Sequence, residues 1–252
     1  MTQRQSQILH IVAEERKVEV TRLSEMLGVS LVTIRKDLSD LESSGLIKRI
    51  HGYAVLDAET DINNRLALRY EKKLDIATRA AELVENGEVV FIESGSCCAL
   101  LAEQINKTKR NVTMITYSAF IGNSVHPTNG NQIILVGGMV MSETKNTVGP
   151  IAIAAIKNFY VDKFFTGTDG MTPEGDFTAK DVLVAEVVRT MVSRAKKTIL
   201  LTDSTKFSKQ GTVTIFPASQ VYALYTDKGC TEETLNFLRE QNVKVDTGEQ
   251  NL

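Results

Sequence analysis

Val29-Ser30-Leu31-Val32-Thr33-Ile34-Arg35-Lys36-Asp37-Leu38 is the stretch that decides how the first part of this 252-residue chain is read. Gly28 stands just before it and separates two amphipathic runs. Ile8, Leu9, Ile11 and Val12 form a first apolar stripe, and Val20, Leu23, Met26 and Leu27 a second. Ile34, Leu38 and Leu41 form a third at four- and three-residue spacing, which predicts a third helix. Thr21 is the expected cap of the second helix, with Glu25 close behind. Ser30 is the expected cap of the third, which runs to about Ser44 and stops at Gly45. On that third helix Val32, Lys36 and Ser39 fall opposite the apolar stripe, with Thr33 and Arg35 on its flanks.

Downstream, Leu46-Ile47-Lys48-Arg49-Ile50-His51-Gly52-Tyr53-Ala54-Val55-Leu56 reads as two short strands around a turn at His51-Gly52. Three helices followed by a hairpin make a winged helix-turn-helix. Its exposed helix face can offer Arg35 and Lys36 to guanine edges or phosphates, Thr33 to either, and Val32 to a thymine methyl. Lys48, Arg49 and His51 on the wing are placed for the backbone or the neighbouring minor groove, and Thr21, Ser30 and Ser39 complete the expected DNA-binding residues. A cationic helix face is often merely solvated, and Arg35-Lys36 alone carries little. The order of three helices, a Gly-marked turn and a basic wing is what favours duplex DNA.

Composition narrows the setting. The formal net charge is −2, so any nucleic-acid contact depends on a local basic patch rather than on overall charge. No apolar run of membrane-spanning length occurs, and the first residues lack a signal-peptide stretch, so a cytoplasmic protein without membrane association is expected. Cys97, Cys98 and Cys230 suit neither a zinc site nor a disulfide framework. No metal or cofactor is expected.

From Tyr70 the pattern alternates between helices and apolar strands. A helix over 70–85 precedes strands at 89–92, 112–115, 133–136, 163–165, 198–201 and 221–224. This alternation predicts an α/β fold with a doubly wound, mostly parallel sheet. The expected organisation is a winged helix-turn-helix over 1–56, a polar linker over 57–69 and an α/β domain over 70–252. Several strands end in small or polar loops: Glu93-Ser94-Gly95-Ser96, Thr116-Tyr117-Ser118, Gly137-Gly138, Gly167-Thr168-Asp169-Gly170 and the segment holding Lys206. In an open α/β sheet, ligands sit beyond the carboxyl ends of the strands, where such loops converge. Free N–H groups at a helix start and the Ser94 and Ser96 hydroxyls can cradle an anion. Asp169 can accept sugar hydroxyls, and Lys206 can neutralise a phosphate. Taken singly, each has a plain structural reading as a turn, a cap or a solvated lysine.

Ser30-Leu31-Val32-Thr33-Ile34-Arg35-Lys36-Asp37-Leu38, with Leu41, Gly45 and Arg49-Ile50-His51-Gly52, resembles the winged-helix signature of DeoR-type bacterial transcriptional regulators. The resemblance continues to the C-terminus. It implies a sensor domain similar to ribose-5-phosphate isomerase and sugar-phosphate deaminase, which typically binds phosphorylated sugars. Matching positions are Ser94-Gly95-Ser96, Thr116, Ser118, Gly137-Gly138, Asp169-Gly170, Lys206 and Ala185-Glu186. Tyr53 stands where a second glycine is usual, Glu93 where aspartate is common, and Cys97-Cys98 where paired threonines are common. Val184 and Val188 replace an acid and a base near Glu186.

The expected function is a ligand-responsive transcription factor, a repressor of a carbohydrate-metabolism operon, rather than an enzyme. Its partners are double-stranded operator DNA and a phosphorylated-sugar effector, and symmetric operators imply a homodimer or homotetramer. Two other classes remain open: a sugar-phosphate isomerase with Glu93, Asp169 or Glu186 as base, and a protein–protein adaptor.

Overall fold

The computed structural model describes residues 2–43, 46–55 and 62–248. The chain divides into two compact units, Met1–Glu71 and Lys72–Leu252.

The first unit comprises α1 (Gln3–Glu15), β1 (Lys17–Glu19), α2 (Val20–Leu27), α3 (Leu31–Ser43), β2 (Lys48–Ile50), β3 (Tyr53–Val55) and α4 (Ile62–Ala67). A capping box opens α1: the Thr2 hydroxyl accepts the Gln5 N–H, and the Gln5 side chain accepts the Thr2 N–H. Gly28 ends α2 in the left-handed conformation, φ 64°, which lets the chain reverse into α3. The three apolar stripes close on one core of Ile8, Leu9, Val12, Leu23, Ile34, Leu38 and Leu41. Wing residues Ile47 and Ala54 complete it.

Three local expectations change. Thr21 does not cap α2 but lies exposed in its first turn, behind the N-cap residue Glu19, which makes no side-chain cap bond. The chain enters α2 directly from a strand, and the Gly52 carbonyl accepts the Val20 N–H at 3.0 Å, so the wing backbone serves the helix start. That strand, β1, is itself unanticipated and makes a three-stranded sheet of order β1-β3-β2. Within the stretch read as linker, α4 buries Ile62, Leu66 and Ala67. Two turns of helix are too short for their periodicity to stand out. The expected stop at Gly45 and the 57–61 part of the linker lie outside the described residues.

At the wing tip His51 and Gly52 both have positive φ, 47° and 82°, a reversal whose twist suits a two-residue hairpin. Tyr53, at the position of the missing second glycine, is an ordinary strand residue paired with Ile50 and Glu19. The Lys17 ammonium lies 4.3 Å from its ring centre.

α5 (Tyr70–Ala81) leads into the second unit and is shorter than expected. There follow β4 (Val89–Ile92), α6 (Ser96–Thr108), β5 (Thr113–Thr116), α7 (Ala119–Ser124), β6 (Gln132–Leu135), β7 (Met139–Val140), β8 (Thr147–Val148), α8 (Pro150–Ile156) and β9 (Val161–Thr166). Next come β10 (Gly170–Met171), β11 (Asp176–Ala179), α9 (Val182–Val192), β12 (Ala195–Leu201), β13 (Val213–Pro217), β14 (Val221–Tyr225), α10 (Glu232–Glu240) and β15 (Lys244–Asp246).

Seven strands form one sheet of order β15-β14-β12-β9-β4-β5-β6, and every neighbouring pair is parallel. Val90-Phe91-Ile92 and Phe164-Phe165 are wholly buried, the continuous apolar run that a sheet covered on both faces demands. Phe91 meets Phe164 edge to face at 6.1 Å. The seventh strand, β15, and the small antiparallel sheets β10-β11-β13 and β7-β8 were not legible in the sequence. Each is a short piece placed by its neighbours. Among the described residues no helix is long and apolar enough to cross a membrane, and no cluster of His, Cys, Asp or Glu could hold a metal ion.

Candidate functional site

In the first unit the Ser30 hydroxyl accepts the Thr33 N–H at 3.2 Å and lies 2.9 Å from the Thr33 hydroxyl, so α3 starts where expected. Burial of Ile34 and Leu38 turns the opposite face outward. Val32 is 76% exposed, and Arg35, Lys36 and Ser39 are exposed beside it, with Thr33 half-buried. Lys48, Arg49 and His51 are exposed on the wing.

Two acids that the sequence reading passed over organise this face. Asp37, on the inner side of α3, is 4% exposed and binds Arg4 of α1 through both oxygens, at 2.5 and 3.3 Å. Glu42, near the end of α3, accepts the Arg49 N–H at 2.8 Å and its Nε–H at 2.7 Å. Those bonds hold the Glu42 carboxyl below its ordinary range. Arg49 is thereby tied to α3, and its bonded guanidinium edge faces Glu42. Arg35, Glu42, Arg49, His51, Gly52 and Val20 line a cleft of about 270 Å³ between the third helix and the wing.

In the second unit the chain passes from β4 to β5 on one side of the sheet and from β9 to β12 on the other. β4 and β9 are neighbours, so the order reverses between them, and a crevice of this kind is where ligands enter doubly wound sheets. The loops beyond both strands meet: the Glu93 carboxylate lies 3.4 Å from where a Cβ on Gly167 would stand.

Glu93 is the centre of the cluster. It is 8% exposed, and its Oε2 accepts the Gly95 N–H at 2.6 Å. Its Oε1 accepts the Tyr117 hydroxyl at 2.6 Å and the Ser94 hydroxyl at 2.9 Å. Asn146 Nδ2 donates to Ser94 Oγ at 2.8 Å. Burial, then the Glu93 charge, push the Tyr117 phenol well above 10. Gly95 is the N-cap of α6, and Ser96 is its half-buried first residue. A side chain at Gly95 would meet Glu93 at 2.8 Å.

The other expected residues are distributed less tightly. Asp169 faces Lys206 at 3.7 Å and accepts the Lys180 N–H at 2.9 Å. Gly170 packs directly on the Lys209 backbone. Thr116 Oγ1 accepts the Ser118 N–H, and Ser118 caps α7, so both hydroxyls serve local turns. Gly137 is exposed, and Gly138 packs on Val148 and Ala152. Lys73 of α5 is buried, and with Lys206, Asp203 and Asp227 it sets the field at Cys97. Burial is the larger influence there and pushes the Cys97 thiol up to about 12. Tyr117, Asn146, Lys73, Asp203 and Asp227 were missed as site residues. Tyr117 and Asp203 carried a signal, each standing in a loop at the end of a strand.

Residues 4–60 match the DeoR-like helix-turn-helix domain, and residues 68–228 match the DeoR C terminal sensor domain. The chain is 33% identical over 229 residues to the HTH-type transcriptional regulator GolR of Listeria innocua, covering 89% of this chain and 90% of that protein. It is 31% identical over 230 residues to the lactose phosphotransferase system repressor of Streptococcus mutans, covering 89% and 91%. To the glycerol-3-phosphate regulon repressor of Escherichia coli it is 27% identical over 248 residues, covering 97% and 98%. Among solved structures, ribose 5-phosphate isomerase A of Methanocaldococcus jannaschii is similar over 55% of each chain at 18% identity, with a TM-score of 0.40. With both domain matches in sequence order and full-length relatives on either side of 30% identity, this chain belongs to the DeoR family of transcriptional regulators.

Proposed function

We propose that the protein is a repressor of a carbohydrate-utilisation operon that reads operator DNA with α3 and the wing and is relieved by a sugar phosphate. The observation that carries the DNA assignment is the outward face Val32-Arg35-Lys36-Ser39, set opposite the buried Ile34, Leu38 and Leu41. Lys36 and Arg35 read base edges, Thr33 and Ser39 support them, and Lys48 and His51 meet the phosphate backbone. Arg49 acts chiefly by holding the wing to α3 through Glu42.

For the effector, support comes from the meeting of Glu93-Ser94-Gly95 with Gly167 at the point where the strand order reverses, and from the Asp169–Lys206 pair beyond β9 and β12. Relatives named as repressors of the glycerol-3-phosphate regulon and the lactose phosphotransferase system favour a phosphorylated carbohydrate. The protein acts in the cytoplasm by binding rather than turnover, as a homodimer or homotetramer whose paired recognition helices span two half-sites. Fluorescence anisotropy on a promoter fragment, repeated across a panel of sugar phosphates, tests both halves. Loss of the complex with one sugar phosphate is expected. DNA binding unaffected by Arg35→Ala and Lys36→Ala overturns the reading of α3.

A further inference from the structure

At the amino ends of the sheet, β12 and β14 begin in a cleft of about 840 Å³. That volume lies within the range of small-molecule sites. Its walls include Arg189 and Val192 of α9, Lys197 of β12, Tyr222 of β14 and Glu240 at the end of α10. β12 runs from Ala195 in the cleft to Leu201 before the Lys206 loop, about 20 Å at the rise of a strand, so the two places are separate.

The cations here are held differently from others on this domain. Lys72, Lys107, Lys163 and Lys196 each pair with a carboxylate. Among the described residues no carboxylate pairs with Lys197 or Lys244; both meet Tyr222 instead, with their ammoniums 4.4 and 4.7 Å from its ring centre. The Lys244 ammonium also donates to the Tyr222 hydroxyl at 2.9 Å. That bond first, then the Lys197 charge, lowers the phenol below its ordinary range. Two ammoniums set on one aromatic ring keep donors free for an anion. Arg189 gives an Nη2–H to the Thr214 carbonyl and lines the same cleft, leaving its other donors to a ligand.

The rest of the wall has other chemistry. α9 and α10 both end at the cleft, at Val192 and Glu240, and the last carbonyls of a helix lack partners within it. Such carbonyls, with the Glu240 carboxylate, disfavour phosphate and accept hydroxyl or amino donors. A bare phosphate chain uses only the cations. A nucleotide uses both.

We propose that this cleft is a nucleotide site, with the phosphates at Arg189, Lys197 and the adjoining Lys244, and the nucleoside's hydroxyl and amino groups on the carbonyls that end α9 and α10. It is a second ligand input, independent of the loops at the other end of the sheet.

Calorimetry on the full-length protein tests this with ATP, GTP, CTP and UTP, against tripolyphosphate and the matching nucleosides. At least one triphosphate is expected to bind about tenfold or more tighter than tripolyphosphate and than its own nucleoside. Lys197→Ala and Arg189→Ala, at exposed positions, are each expected to weaken it about tenfold. Lys107→Ala, whose ammonium pairs with Glu103, is expected to leave it unchanged. No binding of any triphosphate, equal binding of tripolyphosphate, or binding untouched by both cleft variants overturns the site. Weaker non-specific DNA binding by Lys197→Ala, with no nucleotide bound by the wild type, gives the cleft to the DNA backbone and overturns it as well.

Discussion

Arg4 on α1 grips the buried Asp37 carboxylate on the inner side of α3, with Nε 2.5 Å from one oxygen and Nη2 3.3 Å from the other. Gln5 repeats the link one turn on, donating to Asp40 at 3.2 Å. The recognition helix is therefore held by a polar clamp as well as by its apolar stripe. Its exposed face is presented at a fixed rotation, which is what base-edge contacts need.

Removing Arg4 alone leaves a buried carboxylate without its cation, a costly state. Arg4→Met is expected to lower the melting temperature of the first unit and weaken operator binding. Arg4→Met combined with Asp37→Leu is expected to be milder than the single change. Paired thermal melts and anisotropy titrations check the order.

On the outer face, Lys36→Ala and Arg35→Ala are each expected to cost about 1–3 kcal/mol of specific binding where they meet base edges. Lys48→Ala is expected to weaken specific and non-specific DNA alike and to reduce the salt slope by about 1. Titrations at several salt concentrations separate the two behaviours.

Leu38 is fully buried in the stripe beneath that face. Leu38→Ala is expected to destabilise the first unit by about 2–5 kcal/mol, from lost burial plus the cavity left behind. Denaturant unfolding measures it.

The wing has an acid-sensitive fastening. Because bonds from Arg49 depress the Glu42 carboxyl below 4.5, its contribution is complete above that pH and disappears as pH falls through the depressed value. Glu42→Gln is expected to flatten stability against pH below 4.5, as followed by unfolding at a series of pH values.

At the strand ends, Tyr117→Phe leaves Glu93 with two donors instead of three and is expected to cost about 1–3 kcal/mol. The wild-type phenol, held well above 10, stabilises the fold below pH 10, and this is lost as pH rises through the raised value. Spectrophotometric titration is expected to show one tyrosine that ionises late and is missing in the variant. Cys97 and Cys98, both buried with raised thiols, are expected to resist a disulfide reagent at pH 8 until the protein is unfolded.

What the sequence alone determined is periodic. The stripes Ile34-Leu38-Leu41 and Val90-Phe91-Ile92 announce a helix face and a buried strand, because side-chain spacing follows backbone geometry within a few residues. From them came the winged helix, its outward cations and the ends of six strands. Tertiary structure decided what long-range contact decides. Asp37 looks like a surface residue until Arg4 reaches it from 33 positions away, and Asn146 meets Ser94 across 52. Nor can the letters around Glu93 show that Tyr117, Ser94 and Gly95 all turn toward that carboxylate. Pairing between distant residues depends on how the sheet is ordered, and no local pattern encodes that order.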